Sequence, residues 1–283
     1  MFITMEEIER IIKEDVPYID LTSHSLGIGR EMGQITYFTR EDGVVCGAEE
    51  VAMVFQRLNI QINDFLASGS AIKGGDVLIS GTGKAADLHM AWKVGQNILD
   101  NCSAIATKTR RMMDAVKAVN PNVAVLTTRK HFPGTKSLMV KGVMAGGANP
   151  HRLGISETVL IFKQHLEFIG GLDGLRAKMP NLKAECCEKK IIVEAVDFDE
   201  ARRLCDIGAD GVQFDKTPAA DLKKWVTSLR ADYPCVTLLA AGGINPQNAA
   251  EYAETGVDGL VTSSLYNAKA LDIGVEIRRK TNG

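Results

Sequence analysis

Apolar and polar positions change rhythm near residue 122, and the two rhythms predict two different architectures. The first part opens on an amphipathic helix, MFITMEEIERIIKEDV. It continues through DVPYIDLTSHSLGIG, where Pro17, Asp20, Thr22, Ser23 and two glycines favour a turn-rich segment. Short β-like runs follow at Ile35 to Thr39, Val44 to Gly47, Ile60 to Ala67 and Asp76 to Ser80. Between the second and third lies AEEVAMVFQRL, whose Val51, Val54, Phe55 and Leu58 share one helical face. Strands interrupted by one helix indicate an α+β domain. Gly81 to Ala86 reads as a tight turn between strands: Leu78 stands where a phosphate loop needs its first glycine, and Ala85 where it needs Ser or Thr. From Leu88 to about Val119 two helical patterns run almost continuously, with Ser103 as the cap between them.

Beyond Asn122 short apolar strands alternate with helices. The strands are Val123 to Thr127, Thr158 to Phe162, Ile191 to Ala195, Asp210 to Phe214, Cys235 to Ala240 and Asp258 to Ser263. The helices between them include SLMVKGVM, DEARRLCDIG, AADLKKWVTSL and NPQNAAEYAETG. Six βα units predict parallel strands joined by right-handed crossovers, as an incomplete barrel or an open doubly wound sheet. Polar residues collect at the strand ends: Thr128, Arg129 and Lys130; Lys163, Gln164 and His165; Glu194; Asp215 and Lys216; Ala241, Gly242 and Gly243; Thr262, Ser263 and Ser264. In parallel βα architectures these C-terminal ends share one rim, where ligands bind.

Charge sharpens this picture. The chain has 283 residues and a formal net charge of −2, so nothing global draws it to nucleic acid or an anionic membrane. Yet Thr127 to His165 carries six Lys or Arg against the single acid Glu157, and three of the five histidines. A one-signed run broken by glycine turns points to an anion pocket; a basic surface loop is the plainer alternative. The six cysteines show no metal-site spacing and read as free thiols of a cytoplasmic protein, and no stretch approaches a membrane span.

The rim residues suggest a chemistry. Gly242 and Gly243 lead toward a helix expected near Asn245 or Pro246, a phosphate cradle to which Ser263 and Ser264 add hydroxyls, or else plain turn geometry. Glu194 and Asp215, on successive strand ends amid cations, suit Mg²⁺ shared with a substrate phosphate, or ion pairs with Arg129 or Lys130. Arg129, His151 and Arg152 offer donors for carboxylates, with Lys130 a compact charge beside them. Lys93 and Asn97 fall on one helical face. Together these suggest transfer chemistry on a phosphorylated sugar with an aromatic acid as acceptor.

The motifs TTRKHFPGTK, GGANPHR, TVLIFKQH, VEA, FDK, AAGGI and YAETGVD, in that order, resemble the quinolinate phosphoribosyltransferase (nicotinate-nucleotide pyrophosphorylase) family. Upstream, DLTSHSLG, DGVVCGAEE and NCSAIATKTRR extend the resemblance over nearly the whole chain, and LHMAWKVGQN, PHRLGISETVLIF, VQFDK and LVTSSLY look most like the ModD branch associated with molybdenum transport. The resemblance implies an α/β sandwich over residues 1–103, an open six-stranded parallel α/β barrel over 104–269, and a tail, 270–283, returning to the first domain. It implies a pentosyltransferase of NAD biosynthesis that joins quinolinate to phosphoribosyl pyrophosphate (PRPP) with Mg²⁺, giving nicotinate mononucleotide, CO₂ and pyrophosphate. Carried over by position, Thr128, Arg129, His151 and Arg152 hold the acid, Lys130 is the catalytic lysine, and Glu194 and Asp215 bind ribose and metal. Ala241, Gly242, Gly243, Ser263 and Ser264 take the 5′-phosphate, and Lys93 is lent to a partner's site in a homodimer or higher homo-oligomer.

Several positions depart from the family pattern. Lys93 replaces an arginine, Phe162 a lysine, Ala241 a serine and Ser263 a glycine, and LDN becomes Phe214-Asp215-Lys216. The phosphoribosyl half is kept while the acceptor half has lost a cation. A different aromatic acid in a molybdenum-linked pathway, or a non-catalytic relative that binds PRPP or an oxyanion, are the alternatives this leaves open.

Overall fold

The computed structural model describes residues 3–280. In chain order the elements are α1 (Met5–Asp15), α2 (Leu21–Ser25), β1 (Met32–Thr39), β2 (Gly43–Val44), α3 (Ala48–Arg57), β3 (Gln61–Phe65), β4 (Ala71–Ile72) and β5 (Val77–Lys84). Then come α4 (Ala85–Val119), β6 (Ala124–Thr127), α5 (Lys136–Ala145), β7 (Asn149–Pro150), β8 (Val159–Ile161), α6 (Lys163–Leu166), α7 (Gly171–Glu185) and β9 (Ile191–Ala195). The last are α8 (Phe198–Ile207), β10 (Gly211–Asp215), α9 (Ala219–Asp232), β11 (Thr237–Ala241), α10 (Ala249–Ala253), β12 (Gly259–Thr262), a 3₁₀ turn at Ser264–Tyr266 and β13 (Ile273–Arg279). They fall into two units: one takes the chain through Arg110, residues 131–147 and Tyr266 onward, the other residues 111–130 and 148–265.

The first unit is built on an antiparallel sheet ordered β13-β1-β5-β3. Alternation along β1 buries Ile35, Tyr37 and Thr39, the period expected of a sheet with one covered face. Ile8 and Ile12 of α1, Val51, Val54 and Phe55 of α3, and Leu88, Val94 and Ile98 of α4 complete its core. Two expectations need correction here. Gly81 lies inside β5, paired with Ile35, and not in a turn; a Cβ there would come within 2.6 Å of the Phe55 ring, so the glycine serves close packing of helix on sheet. Ser103 does not separate two helices: α4 is continuous, with no proline, and the buried Ser103 hydroxyl accepts the Cys46 amide (3.0 Å) and donates to the Cys46 carbonyl (3.2 Å). The segment expected to be irregular holds α2, whose first amides donate to Asp20 Oδ1. The helix SLMVKGVM, α5, belongs to this unit and not to the barrel, tied by the Lys141 ammonium to Glu49 (2.8 Å) and Glu50 (2.5 Å) of α3.

The second unit is a seven-stranded parallel sheet ordered β7-β6-β12-β11-β10-β9-β8, curled into a barrel left open between its edge strands β7 and β8. The expected α/β plan of sandwich plus open parallel barrel is the one found, with the two-residue β7 added to the six strands read from sequence. Leu160, Ile192, Leu239, Ala241 and Val261, with Leu126 and Phe162 against them, form a small apolar cluster of their own. Residues of opposite parity, among them Val193, Val212, Phe214, Leu238 and Leu260, are buried on the other face. There Phe214 meets Trp225 of α9 with ring centroids 5.7 Å apart. All six cysteines are free thiols. Among the described residues no helix is long and apolar enough to cross a membrane.

Candidate active site

Parity decides what the barrel mouth contains. Pairing Gln213 with Glu194 and Leu239 puts those three at one level of the sheet, and Asp215 with Ala241 one step further toward the C-terminal ends. Because alternate residues share a face, the side that carries Leu239 and Ala241 also carries Glu194, Gln213 and Asp215. The two carboxylates therefore rise from neighbouring strands above an apolar floor.

Their environments differ. Burial, then the charge of Asp215, pushes the Glu194 carboxyl above the usual glutamate range, while a hydrogen bond from Gln213 and the charges of Lys130 and Lys216 pull it back. Asp215 is 41% exposed, with the Lys216 ammonium 3.9 Å away. Gln213 went unrecognised in the sequence. Its Nε2 donates to Glu194 Oε2 at 3.1 Å, and only 5% of the residue is exposed. The available signal was parity, since a polar residue two positions before an inward Asp215 must face inward too.

His151 follows β7, its amide donating to the Thr127 carbonyl (2.9 Å). Its imidazole lies beside the Gln213 side chain, and burial, then the Arg152 charge, holds it below the usual histidine range and so neutral near pH 7. Arg129 is exposed after β6 and close enough to Arg152 to act on its charge, which Glu157 partly offsets. Glu157 also accepts the Leu153 amide. Lys130 is exposed, its backbone amide donating to the Thr128 hydroxyl (3.1 Å). Thr128 in turn donates its amide to Thr262 of the adjacent strand (3.0 Å).

Gly242 and Gly243 both take positive φ, +81° and +76°. A Cβ on Gly242 would overlap Asp215 Oδ1 and come 2.7 Å from the Lys216 amide nitrogen, whereas Gly243 faces open space. Lys216 is itself left-handed (φ 58°), its amide held by the Ala241 carbonyl at 2.8 Å. The helix expected at Asn245 starts only at Ala249 and has five residues. Asn245 and Asn248 instead close a turn, both side-chain amides donating to the Gly243 carbonyl (3.1 and 3.2 Å), so any phosphate cradle is made by the glycine turn and not by a helix end. Thr262 donates its hydroxyl to the Ile244 carbonyl (2.6 Å) and accepts the Ser264 amide (2.9 Å), pinning that turn; Ser263 is half-buried beside it.

The strand β8 ends at Ile161, so Lys163 opens α6 and lines a cavity of about 530 Å³ together with Glu167, Glu194, Glu200 and Arg203. Phe162 rests on the apolar cluster, stacked on His165 at 5.9 Å, with its amide donating to His165 Nδ1 (3.0 Å). Lys93 belongs to the other unit, on α4, where its ammonium donates to Gln96 (2.9 Å) and lies 5.1 Å from the centre of the Trp92 ring.

Comparison with known proteins places this constellation. The quinolinate phosphoribosyl transferase C-terminal domain matches residues 105–276, and the N-terminal domain of the same family matches residues 20–103. A Rhodobacter capsulatus protein named "Putative pyrophosphorylase ModD" is 38% identical over 246 residues, covering 87% of this chain and 94% of the relative. The human nicotinate-nucleotide pyrophosphorylase [carboxylating] is 27% identical over 270 residues, 95% of this chain and 90% of that one. The crystal structure of nicotinate-nucleotide pyrophosphorylase from Ehrlichia chaffeensis superposes with a TM-score of 0.89 at 26% identity, over 98% of this chain and all of the other. The chain therefore belongs to the quinolinate phosphoribosyltransferase family, as a phosphoribosyltransferase enzyme resembling its ModD branch.

Proposed function

We propose that the protein transfers the phosphoribosyl group of PRPP to the ring nitrogen of a planar aromatic acid, the class to which quinolinate belongs, with release of pyrophosphate. The observation that carries this reading is the placement of Glu194 and Asp215 on the same face of adjacent strands, under the charge of Lys130 and beside the Gly242 turn. As the bond from C1 of the ribose to pyrophosphate lengthens, positive charge grows on C1 and negative charge on the departing oxygens. Glu194 and Asp215 stabilise the first, and Lys130 the second, in a mouth whose dipoles are already set by Gln213. The glycine turn gives backbone amides close access to the 5′-phosphate, and Arg129 and Arg152 supply guanidinium forks for the acid's carboxylate.

The same reading includes Mg²⁺, with Glu194 and Asp215 as the residues that would hold it. Two carboxylates on one face of neighbouring strands are a donor set that a hard cation can share with substrate oxygens and water. Bound there, it would neutralise charge on the leaving pyrophosphate. The reading also takes the protein as a homodimer in which Lys93 serves the partner's site.

The test is product identification: the protein incubated with PRPP, Mg²⁺ and a panel of aromatic acids that includes quinolinate, followed by mass spectrometry and pyrophosphate quantitation. A ribonucleotide of one acid, equimolar with pyrophosphate, is the expected result. Consumption of PRPP without any nucleotide, or no consumption with any acid, contradicts it.

A further inference from the structure

Left-handed backbone suits glycine and asparagine, and among the described residues only two non-glycine positions adopt it, Asn59 and Lys216. Asn59 is of the tolerant type. Lys216, at φ 58°, is not, and such strain persists beside a ligand site when the site needs that side chain where the strained backbone puts it. The Lys216 amide donates to the Ala241 carbonyl (2.8 Å), which ties the strained residue to the end of β11. Its stem then runs against the glycine turn: a Cβ built on Gly242 would overlap both Lys216 Cγ and Asp215 Oδ1.

The groups that brace this turn are mostly neutral. Asn245 and Asn248 donate to the Gly243 carbonyl, Thr262 holds the Ile244 carbonyl and the Ser264 amide, and Ala241 brings a methyl and no hydroxyl. Of the two charged side chains against Gly242, Asp215 is the acid and Lys216 the cation. Backbone amides at positive-φ glycines can approach an anion, yet a doubly ionised phosphate beside Asp215 also needs a counter-charge. The Asp215 pair does not commit the ammonium elsewhere. At 3.9 Å, with 79% of the Lys216 side chain exposed, it is of the kind that contributes little to stability.

We infer that Lys216 is a further substrate-binding residue, its ammonium taking the 5′-phosphate that the Gly242–Gly243 turn cradles. This rests on the phosphoribosyl-transfer reading above and supplies the cation for the phosphate end of the substrate. Lys130 serves the leaving pyrophosphate, so each charged end of PRPP meets its own lysine. Drawn to the phosphate, the Lys216 ammonium moves off Asp215 and leaves that carboxylate to accept the ribose hydroxyls. Lysine suits the task as a compact charge on a rotatable stem, and the left-handed backbone with its Ala241 tether sets where that stem starts.

The experiment titrates the full-length protein by calorimetry with ribose 5-phosphate and, separately, with pyrophosphate and Mg²⁺. The proteins are wild type, Lys216→Asn, Lys216→Gly and Lys216→Arg, and each is also melted. Asparagine accepts the left-handed backbone, so Lys216→Asn should melt at or above the wild-type temperature; glycine gives a second neutral variant without a Cβ. In both, the Kd for ribose 5-phosphate should rise about tenfold or more, the effect of one charge-assisted contact, while that for pyrophosphate changes less than about threefold. Lys216→Arg keeps the charge and should stay within about threefold of wild type for both ligands. An unchanged Kd for ribose 5-phosphate in the two neutral variants overturns the inference while the transfer reading stands. So does an equal loss of pyrophosphate binding, the mark of a general field, and so does a Lys216→Arg protein as weak as Lys216→Asn. A Lys216→Asn protein that melts below wild type overturns it too, because the lysine would then be serving the fold. Wild type that binds no ribose 5-phosphate overturns the inference and the transfer reading together.

Discussion

The side-chain amide of Gln213 donates to the carboxylate of Glu194 across 3.1 Å, from directly paired positions on adjacent parallel strands. That contact fixes where the Glu194 charge sits before any substrate arrives, and fixed dipoles at developing charge are the most effective catalytic device a protein has.

Glu194 is expected to trade stability for activity. Its carboxyl is raised by burial, with Asp215 adding to the effect, so its contribution to stability is full below the unfolded value of 4.5 and is lost as pH rises through the folded value. Glu194→Gln should therefore melt higher than the wild type near neutral pH and show a flatter melting profile above pH 4.5, while turnover falls about 10²–10³-fold. Thermal melts across that range, alongside pyrophosphate release, check both halves. A variant melting lower at pH 7 would argue against a strained carboxylate.

Gly242→Ala should damage the phosphate turn. The position needs φ of +81°, and the added methyl overlaps Asp215 and the Lys216 backbone. The cost is on the order of 1–3 kcal/mol in stability, with a rise in the KM for PRPP larger than any change in the KM for the acceptor. Equal effects on the two KM values would mean the turn does not face the phosphate.

The ion cluster of Lys141, Glu49 and Glu50 holds α5 to α3 in the first unit. Glu50 has a side chain only 4% exposed, so Lys141→Met leaves a buried charge without its partner and should cost about 3–5 kcal/mol in a urea titration. Burial pushes Glu49 up, but hydrogen bonds from Lys141 and Ser68 bring it down to about 2. Its stabilising part is thus present above the unfolded value of 4.5 and disappears only as pH falls toward 2.

If Lys93 serves the partner's site, Lys93→Ala should lose roughly ten- to a hundredfold in kcat/KM. Mixing that variant with Lys130→Ala under subunit exchange should restore part of the activity, because each mixed dimer then holds one intact site. No recovery on mixing would place Lys93 outside any shared site.

The sequence made some of this plain and concealed the rest for physical reasons. Barrel strands were legible because both faces are largely buried, so Ile191 to Ala195 reads as an apolar run interrupted only by Glu194 at its C-terminal end, and the observed β9 has those bounds. Ser103 misled because a cap and a mid-helix hydroxyl look alike until its tertiary partner, the Cys46 backbone, is known. The helix after Gly243 was placed early because Asn245 and Asn248 can cap a helix as well as close a turn. Gln213 was hidden inside an apolar strand, and only the register with Glu194 reveals its role.

The most direct test of the central claim compares wild type and Lys130→Ala in Mg²⁺- and PRPP-dependent pyrophosphate release with the best acceptor. Lys130 is exposed, so the fold should persist with a change in stability within about 0.5 kcal/mol. Turnover should fall by about 10² or more, since the charge acting on the leaving pyrophosphate is gone. An unchanged rate in Lys130→Ala would contradict the account.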